Sequence, residues 1–211
     1  MEKSVSLQTL QRMPLYLNYL RALPDDAGLN ISAKTIAEAL SFGEIQVRKD
    51  LAAVSAGGRP KVGYNRRNLT ADIEAYLGYD NINDAVLVGA GKLGRALMGY
   101  AGFQAYGLNI VAAFDSDPAT LGMDESGKPV LDVGRLKDLC RRMNIRIGVI
   151  TVPARQAQRV CDELVESGVL AIWNFAPTHL SAPAGILIRS ENMAASLALL
   201  SKHLTDAAQE G

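Results

Sequence analysis

Along the chain, apolar positions recur first at helical spacing and later as short runs between amphipathic stretches. Tyr16, Leu20 and Leu23 form one helical stripe, with Pro14 expected in a first-turn position. Pro24-Asp25-Asp26 and Gly28 break it. Ser32 is expected to cap a second helix that carries Ile36, Ala37 and Leu40 on one face. After the turn Ser41-Phe42-Gly43, a third helix sets Val47, Leu51 and Val54 inward. That leaves Gln46 and Lys49 outward and Arg48 on the flank. Ala56-Gly57-Gly58-Arg59-Pro60 ends the helices, and Lys61 to Tyr64 is expected to form the tip and return strand of a hairpin. The whole reads as a helix-turn-helix from Ile31 to Val54 with a wing-like segment from Gly57 to Tyr64.

A linker around Gly78 to Asn83 leads into the second pattern. Buried strands are predicted at Ala85 to Val88, Ile110 to Phe114, Ile147 to Val152 and Val169 to Phe175, with a final one at Ile186 to Ile188. Helices such as Leu136 to Met143 and Arg155 to Glu166 fill the gaps. Short apolar strands between amphipathic helices imply a parallel sheet. The last segment, Glu191 to Gln209, predicts a helix with Met193, Leu197, Leu200 and Leu204 on one stripe. That stripe packs either on its own domain or against a second subunit. The expected fold is α/β: an N-terminal winged-helix domain (1–78), a Rossmann-like parallel sheet domain (79–190) and a C-terminal helix (191–211).

Global charge says nothing about nucleic acid, because 22 Lys and Arg balance 22 Asp and Glu. The local distribution does. Between Ile45 and Arg67 lie Arg48, Lys49, Arg59, Lys61, Arg66 and Arg67 against Asp50 alone. DNA binding needs such a patch, because phosphate neutralisation supplies most of the affinity. Taken by itself, a charge run is more often a solvated surface. Cys140 and Cys161 have neither metal nor redox spacing and read as buried structural thiols. His179 and His203 have no ligand cluster around them, so no metal is expected. Met1-Glu2-Lys3-Ser4 leads into no long apolar run, so neither signal peptide nor membrane span is expected and the location is cytoplasmic.

Val86-Leu87-Val88 runs into Gly89-Ala90-Gly91-Lys92-Leu93-Gly94, a G-x-G-x-x-G. At this spacing Gly89 permits a tight turn, Gly91 lets a pyrophosphate approach the backbone, and Gly94 lets helix and strand pack closely. Loop amides then face an anion at a helix N-terminus, with Ala90, Lys92 and Leu93 contributing through the backbone. Such a motif alone is weak. Here it follows a strand, opens a helix, and is followed 24 residues after Gly91 by Asp115 at the end of the next strand. That acid should accept from the adenosine ribose, which favours NADH and NAD⁺ over their phosphorylated forms. Asp117 belongs to the turn with Pro118. The strand-end loops Thr151-Val152-Pro153 and Asn174-Phe175-Ala176-Pro177 are neutral and partly apolar, and His179 reads as solvent-facing or structural. An apolar nicotinamide pocket without an acid–base pair suits binding better than hydride transfer.

Taken together, these residues make the chain resemble the Rex family of redox-sensing transcriptional repressors over essentially its whole length. The segments that carry the resemblance are Gln46-Val47-Arg48-Lys49-Asp50-Leu51, Val62-Gly63-Tyr64, the glycine loop, Phe114-Asp115-Ser116-Asp117-Pro118, Thr151-Val152-Pro153 and Asn174-Phe175-Ala176-Pro177. The resemblance implies a homodimer with C-terminal helices exchanged between subunits, bound to an inverted repeat in double-stranded operator DNA. It implies repression of anaerobic or fermentative genes when NADH is scarce and release when NADH rises. The reading helix maps onto Glu44 to Val54, with Arg48 and Lys49 in the major groove. The wing places Arg59 near the minor groove, with Gln46, Lys61 and Tyr64 completing the DNA contacts. The family's switch tyrosine maps onto Tyr100 and its helix-one arginine onto Arg21. One departure stands out: the family's Asp-Phe pair at the start of the last helix is Asn192-Met193 here. Two rivals remain, an NAD-dependent oxidoreductase with a helical accessory domain and a module whose helix-turn-helix contacts protein.

Overall fold

The hydroxyl of Ser6 accepts from the Thr9 amide at 3.1 Å and starts helix α1, Leu7–Ala22. In this computed structural model, which describes residues 5–209 and side chains through 206, Pro14 therefore lies inside the helix and not in its first turn. An interior proline costs about 3 kcal/mol. Met13, Tyr16, Leu17 and Leu20 are buried on the same helix, and each contributes about 1.5–3 kcal/mol. Packing outweighs the proline. The stretch Met1-Glu2-Lys3-Ser4 lies outside the described residues.

The described residues divide into two compact units, and the division falls between Asn81 and Ile82. In the first, the Ser32 hydroxyl caps α2, Ala33–Leu40, by accepting from Thr35 N at 3.0 Å. The helix ends at Ser41 in the left-handed region, φ 56°. Helix α3, Glu44–Val54, follows at once. Two short strands, β1 (Asn30–Ile31) and β2 (Tyr64–Asn65), pair antiparallel. Between α3 and β2 the wing closes through Arg59 and Gly63, which exchange backbone hydrogen bonds at 2.9 Å, with Lys61 at its tip in the left-handed region. The return strand thus pairs with β1, and the wing itself is a single bridge. Helix α4, Arg66–Leu77, was not expected from the sequence. Its polar start, Arg66-Arg67-Asn68, hides a stripe of two buried residues, Leu69 and Ile73. Asn65 caps it and Gly78, φ 70°, ends it.

The second unit is built on a seven-stranded sheet in the order β5-β6-β4-β3-β7-β8-β9. Its strands are β3 (Asn83–Val88), β4 (Leu108–Asp115), β5 (Gly122–Met123), β6 (Pro129–Asp132), β7 (Ile147–Ile150), β8 (Ala171–Asn174) and β9 (Leu187–Ser190). All neighbours are parallel except the β5–β6 hairpin. Helices α5 (Lys92–Gly99), α6 (Leu136–Arg142) and α7 (Ala154–Glu166) pack on it. Side chains along β3 alternate between two cores. Val86 and Val88 join Phe114, Ile150 and the α6–α7 side, and Ala85 and Leu87 join Met98, Val149 and the aromatic side. The strand order reverses between β3 and β7, so a crevice opens at their carboxyl ends. Helix α8, Met193–Gln209, follows β9. Met193, Leu197, Leu200 and Leu204 are all exposed, so the stripe is not covered by its own unit.

Candidate functional site

In the helical unit, α3 presents Gln46, Arg48 and Lys49 to solvent while Val47 and Leu51 are fully buried. What fixes the helix is the one acid that the charge reading counted against the patch. Asp50 is 5 % exposed. Its carboxylate accepts from Arg12 Nε at 2.7 Å, Arg12 Nη2 at 2.9 Å, the Tyr16 hydroxyl at 2.8 Å and the Thr9 hydroxyl at 2.9 Å. Burial pushes the Asp50 carboxyl up, but these donors outweigh it and hold it below the usual carboxylate range. Burial and the bond to Asp50 push the Tyr16 phenol up to about 12. Asp50 is thus neutralised internally and subtracts nothing from the basic surface. Its position was legible: 47, 50, 51 and 54 share one helical face.

The basic residues differ in their freedom. Arg48 pairs with Glu44 one turn away. Arg66 donates to the Pro24 carbonyl at 2.7 Å and is held in the unit. Lys49, Arg59 and Lys61 are exposed and form no ion pair among the described residues. Tyr64 corrects an expectation. It is 7 % exposed, with its ring against Gly58, where an added Cβ would meet it at 2.7 Å. It supports the wing from beneath and is not on the surface. Arg21 is bound through Nε and Nη2 to Glu74 of α4, at 3.1 and 2.8 Å.

In the sheet unit the glycine loop turns from β3 into α5. Gly89 adopts φ 108°, and a Cβ there would lie 2.9 Å from the Thr151 carbonyl carbon. The Thr151 hydroxyl donates to Gly89 O at 2.7 Å and locks the loop to the end of β7. At Gly94 a Cβ would fall 2.0 Å from Gly89 O. Gly91 differs: its Cβ would meet nothing within 4 Å among the described residues, so their packing does not demand glycine there. Gly91 also caps α5 without a side chain. First-turn amides of a helix have no intrahelical acceptor, so this end suits an anion that comes close to bare backbone.

Beside the loop is a cavity of about 600 Å³. Of the expected residues, Gly89, Gly91, Asp115, Thr151, Val152, Pro153 and Phe175 line it. Ala90, Lys92, Leu93 and Gly94 form the loop and first helical turn without lining it. Asn174 is fully buried, and its amide is committed to Ala176, Thr178 and Ser190. It shapes the β8 end, as does buried Ala176. Tyr100 caps the end of α5, half exposed, with its ring edge-to-face on Phe103. Val133, Gln156, Arg159, Val160 and Glu163 also line the cavity and were not foreseen. They come from the β6 end and from one face of α7, which only the tertiary fold brings to the loop. Asp117 caps the turn Pro118–Thr120, as expected. Asn192 accepts from Ala195 N at 3.0 Å at the start of α8.

Both cysteines are buried and free, and burial pushes the Cys140 thiol up to about 11. Among the described residues there is no group of three or more His, Cys, Asp or Glu that could hold a metal. No helix of the described residues is long and apolar enough to cross a membrane.

Comparison with known proteins agrees with both halves. Residues 4–52 match the family described as "Putative DNA-binding protein N-terminus", and residues 80–178 match "CoA binding domain". The redox-sensing transcriptional repressor Rex of Porphyromonas gingivalis is 38% identical over 95% of this chain and 92% of its own. That of Clostridioides difficile is 38% identical over 94% and 95%. The chain belongs to the Rex family of redox-sensing transcriptional repressors. A crystal structure of RSP with β-NAD⁺ and operator DNA superimposes with a TM-score of 0.92 at 31% identity, covering 98% of this chain and 95% of that one. RSP with β-NADH gives 0.87 at 30%, covering 98% and 97%. The Rex relatives are repressors and not enzymes, so the oxidoreductase rival falls.

Proposed function

We propose that this Rex-family chain is a homodimeric, cytoplasmic repressor that holds an inverted-repeat operator when NADH is low and releases it when NADH binds. Residues 1–78 read DNA, residues 79–190 take NADH or NAD⁺, and residues 191–211 join the subunits through the exposed stripe of α8. Gln46, Arg48 and Lys49 enter the major groove, where Arg48 reaches base edges and Lys49 a flanking phosphate, and Arg59 and Lys61 lie along the phosphates or the minor groove beside the wing. The pyrophosphate rests on the Gly89–Gly94 loop, the adenosine ribose on Asp115, and the nicotinamide against Thr151-Val152-Pro153 and Phe175.

The observation that carries this reading is the bare backbone at Gly91. Nothing among the described residues occupies the space a side chain would take there, and it opens on a cavity walled by Asp115. A ligand with a pyrophosphate and a ribose fits that pair. RSP supports the reading, because it binds β-NAD⁺ with operator DNA and also binds β-NADH. The apolar wall of Val152, Pro153 and Phe175 disfavours the charged ring of NAD⁺ relative to neutral NADH. NADH shifts the dimer only by as much as it prefers one state. Operator half-sites are about one helical turn or a multiple apart, so a changed separation of the two reading helices releases DNA.

The test is a labelled operator duplex titrated with the full-length protein, then with NADH and NAD⁺ separately. Release by NADH at concentrations where NAD⁺ leaves the complex intact is expected. Equal release by both, or none by either, would overturn the reading.

A further inference from the structure

From Met193 to Thr205 every residue of α8 is exposed, so within its own unit the helix is held only by the segment that precedes it. That segment is tied to β8 at three points. Ser190 Oγ accepts from Asn174 Nδ2 at 3.1 Å, and Glu191 N donates to Asn174 O at 2.8 Å. Glu191 Oε1 accepts from Trp173 Nε1 at 2.9 Å. The next residue, Asn192, spends its side chain on capping α8. Glu191 is therefore the charged group at the root of the helix, and its partner is the chain's single tryptophan.

Trp173 is also the middle of a row of rings. Tyr100 and Phe103 meet at 4.9 Å between centroids, Phe103 and Trp173 at 5.5 Å, and Trp173 and Phe175 at 4.8 Å. Phe175 lines the cavity. The row starts at the wall of the cavity and ends at Tyr100 on the surface. The Tyr100–Phe103 and Phe103–Trp173 pairs are edge-to-face, a preferred arrangement, and Trp173 meets Phe175 at 52°, so a tilt of Phe175 bears on the indole. A hydrogen bond weakens steeply as its angle departs from linear. A small rotation of Trp173 therefore reaches Glu191 directly.

We infer that the Trp173–Glu191 hydrogen bond couples occupancy of the cavity to the direction of α8, which makes Glu191 a positioning residue for the NADH response. The inference rests on the NADH-responsive reading above. Both Trp173 and Glu191 lie outside the set of cavity-lining residues, so the bond transmits and does not bind.

The experiment measures coupling in the full-length protein, as the ratio of operator dissociation constants with saturating NADH and without it. Calorimetry follows NADH binding to each variant. Glu191→Ala should reduce the ratio by roughly tenfold or more, the scale of a hydrogen bond to a charged group. NADH binding and NADH-free operator binding should stay within about twofold of the wild type, the scatter of independent sites. Trp173→Phe keeps an aromatic ring, removes the N–H donor along with one ring of the indole, and should lose at least as much as Glu191→Ala; the double variant should lose no more than Trp173→Phe alone. Glu191→Gln keeps an acceptor and should retain most of the response. A Glu191→Ala or Trp173→Phe protein with the wild-type ratio overturns the inference, as does an additive loss in the double variant. If Glu191→Ala does not fold, Trp173→Phe decides. A wild-type ratio of one would instead bring down the underlying NADH reading, so the two failures are distinct.

Discussion

The Asp115 carboxylate accepts a hydrogen bond from the Ala90 amide at 2.7 Å, and its other oxygen accepts from Asp117 N at 3.0 Å. Two backbone donors thus hold the acid of β4 against the glycine loop, on the cavity wall. A carboxylate offers about four acceptor sites, so lone pairs remain for ribose hydroxyls. A 2′-phosphate would meet like charge instead. Asp115→Asn should weaken NADH by roughly tenfold, as expected for a bond to a charged group, and should narrow the preference for NADH over NADPH. Calorimetry with both cofactors in one buffer checks this. An equal loss for both would show that the acid only holds the loop.

The three loop glycines should separate by what each one avoids. Gly94→Ala drives a Cβ to 2.0 Å from Gly89 O. Such overpacking costs about 1–3 kcal/mol, so the thermal midpoint should fall. Gly91→Val has room among the described residues and gives up only a glycine N-cap, so the midpoint should fall less than in Gly94→Ala. It should abolish NADH binding and leave an operator complex that NADH cannot release. Thermal unfolding beside NADH calorimetry distinguishes the two. A large loss of stability in Gly91→Val would remove the argument that only a ligand needs this glycine.

These contrasts mark what was legible in the sequence. Local signals read through: Ser32 as a cap, the Gly89–Gly94 turn, and Asp115 at a strand end. Period sufficed for the inward face of α3. Where reading failed, the deciding term was tertiary. Pro14 is tolerated in mid-helix because Met13, Tyr16, Leu17 and Leu20 bury together. Helix α4 has only two buried residues, too few for a visible stripe. The β5–β6 hairpin is short and edge-placed, with β5 only two residues long. Tyr64 looked like an interface aromatic because sequence cannot show Gly58 lying over its ring. Arg159 and Glu163 joined the cavity wall only when α7 was folded against it.

Asp50 makes the stability of the helical unit depend on pH at both ends. Its carboxyl lies below the usual range, so the stability it contributes is present above the unfolded value of about 3.9. It is lost as pH falls through the lower folded value. Tyr16 is raised to about 12. Its contribution is present below the unfolded value of about 10 and is lost as pH rises to the folded one. Amide exchange of α3 should be slow between these limits and accelerate beyond each. Asp50→Asn should flatten the acid limb and cost about 1–3 kcal/mol, because partly buried Arg12 loses its counter-charge and buried hydrogen bonds are weakened. An unchanged acid limb would mean that another carboxylate governs it.

Lys49 and Arg48 are neighbours on α3 with different electrostatic standing, and their variants should differ in kind. Lys49 is exposed with no ion pair among the described residues, whereas Arg48 is paired with Glu44. A lysine that neutralises one phosphate contributes about 0.9 to the slope of log affinity against log salt. Lys49→Ala should therefore lower that slope by about one per subunit and weaken all sequences alike. Arg48 has the fork geometry for a guanine edge, so Arg48→Ala should cost about 1–3 kcal/mol on the operator. On unrelated DNA it should cost little. Glu44→Gln frees the Arg48 guanidinium and should tighten binding to any duplex. Both alanine variants should keep the wild-type thermal midpoint and NADH affinity, since neither side chain is buried. Operator and random duplexes titrated over a range of salt give all of these quantities. Wild-type slopes and affinities in both alanine variants would mean that α3 is not the helix that meets DNA.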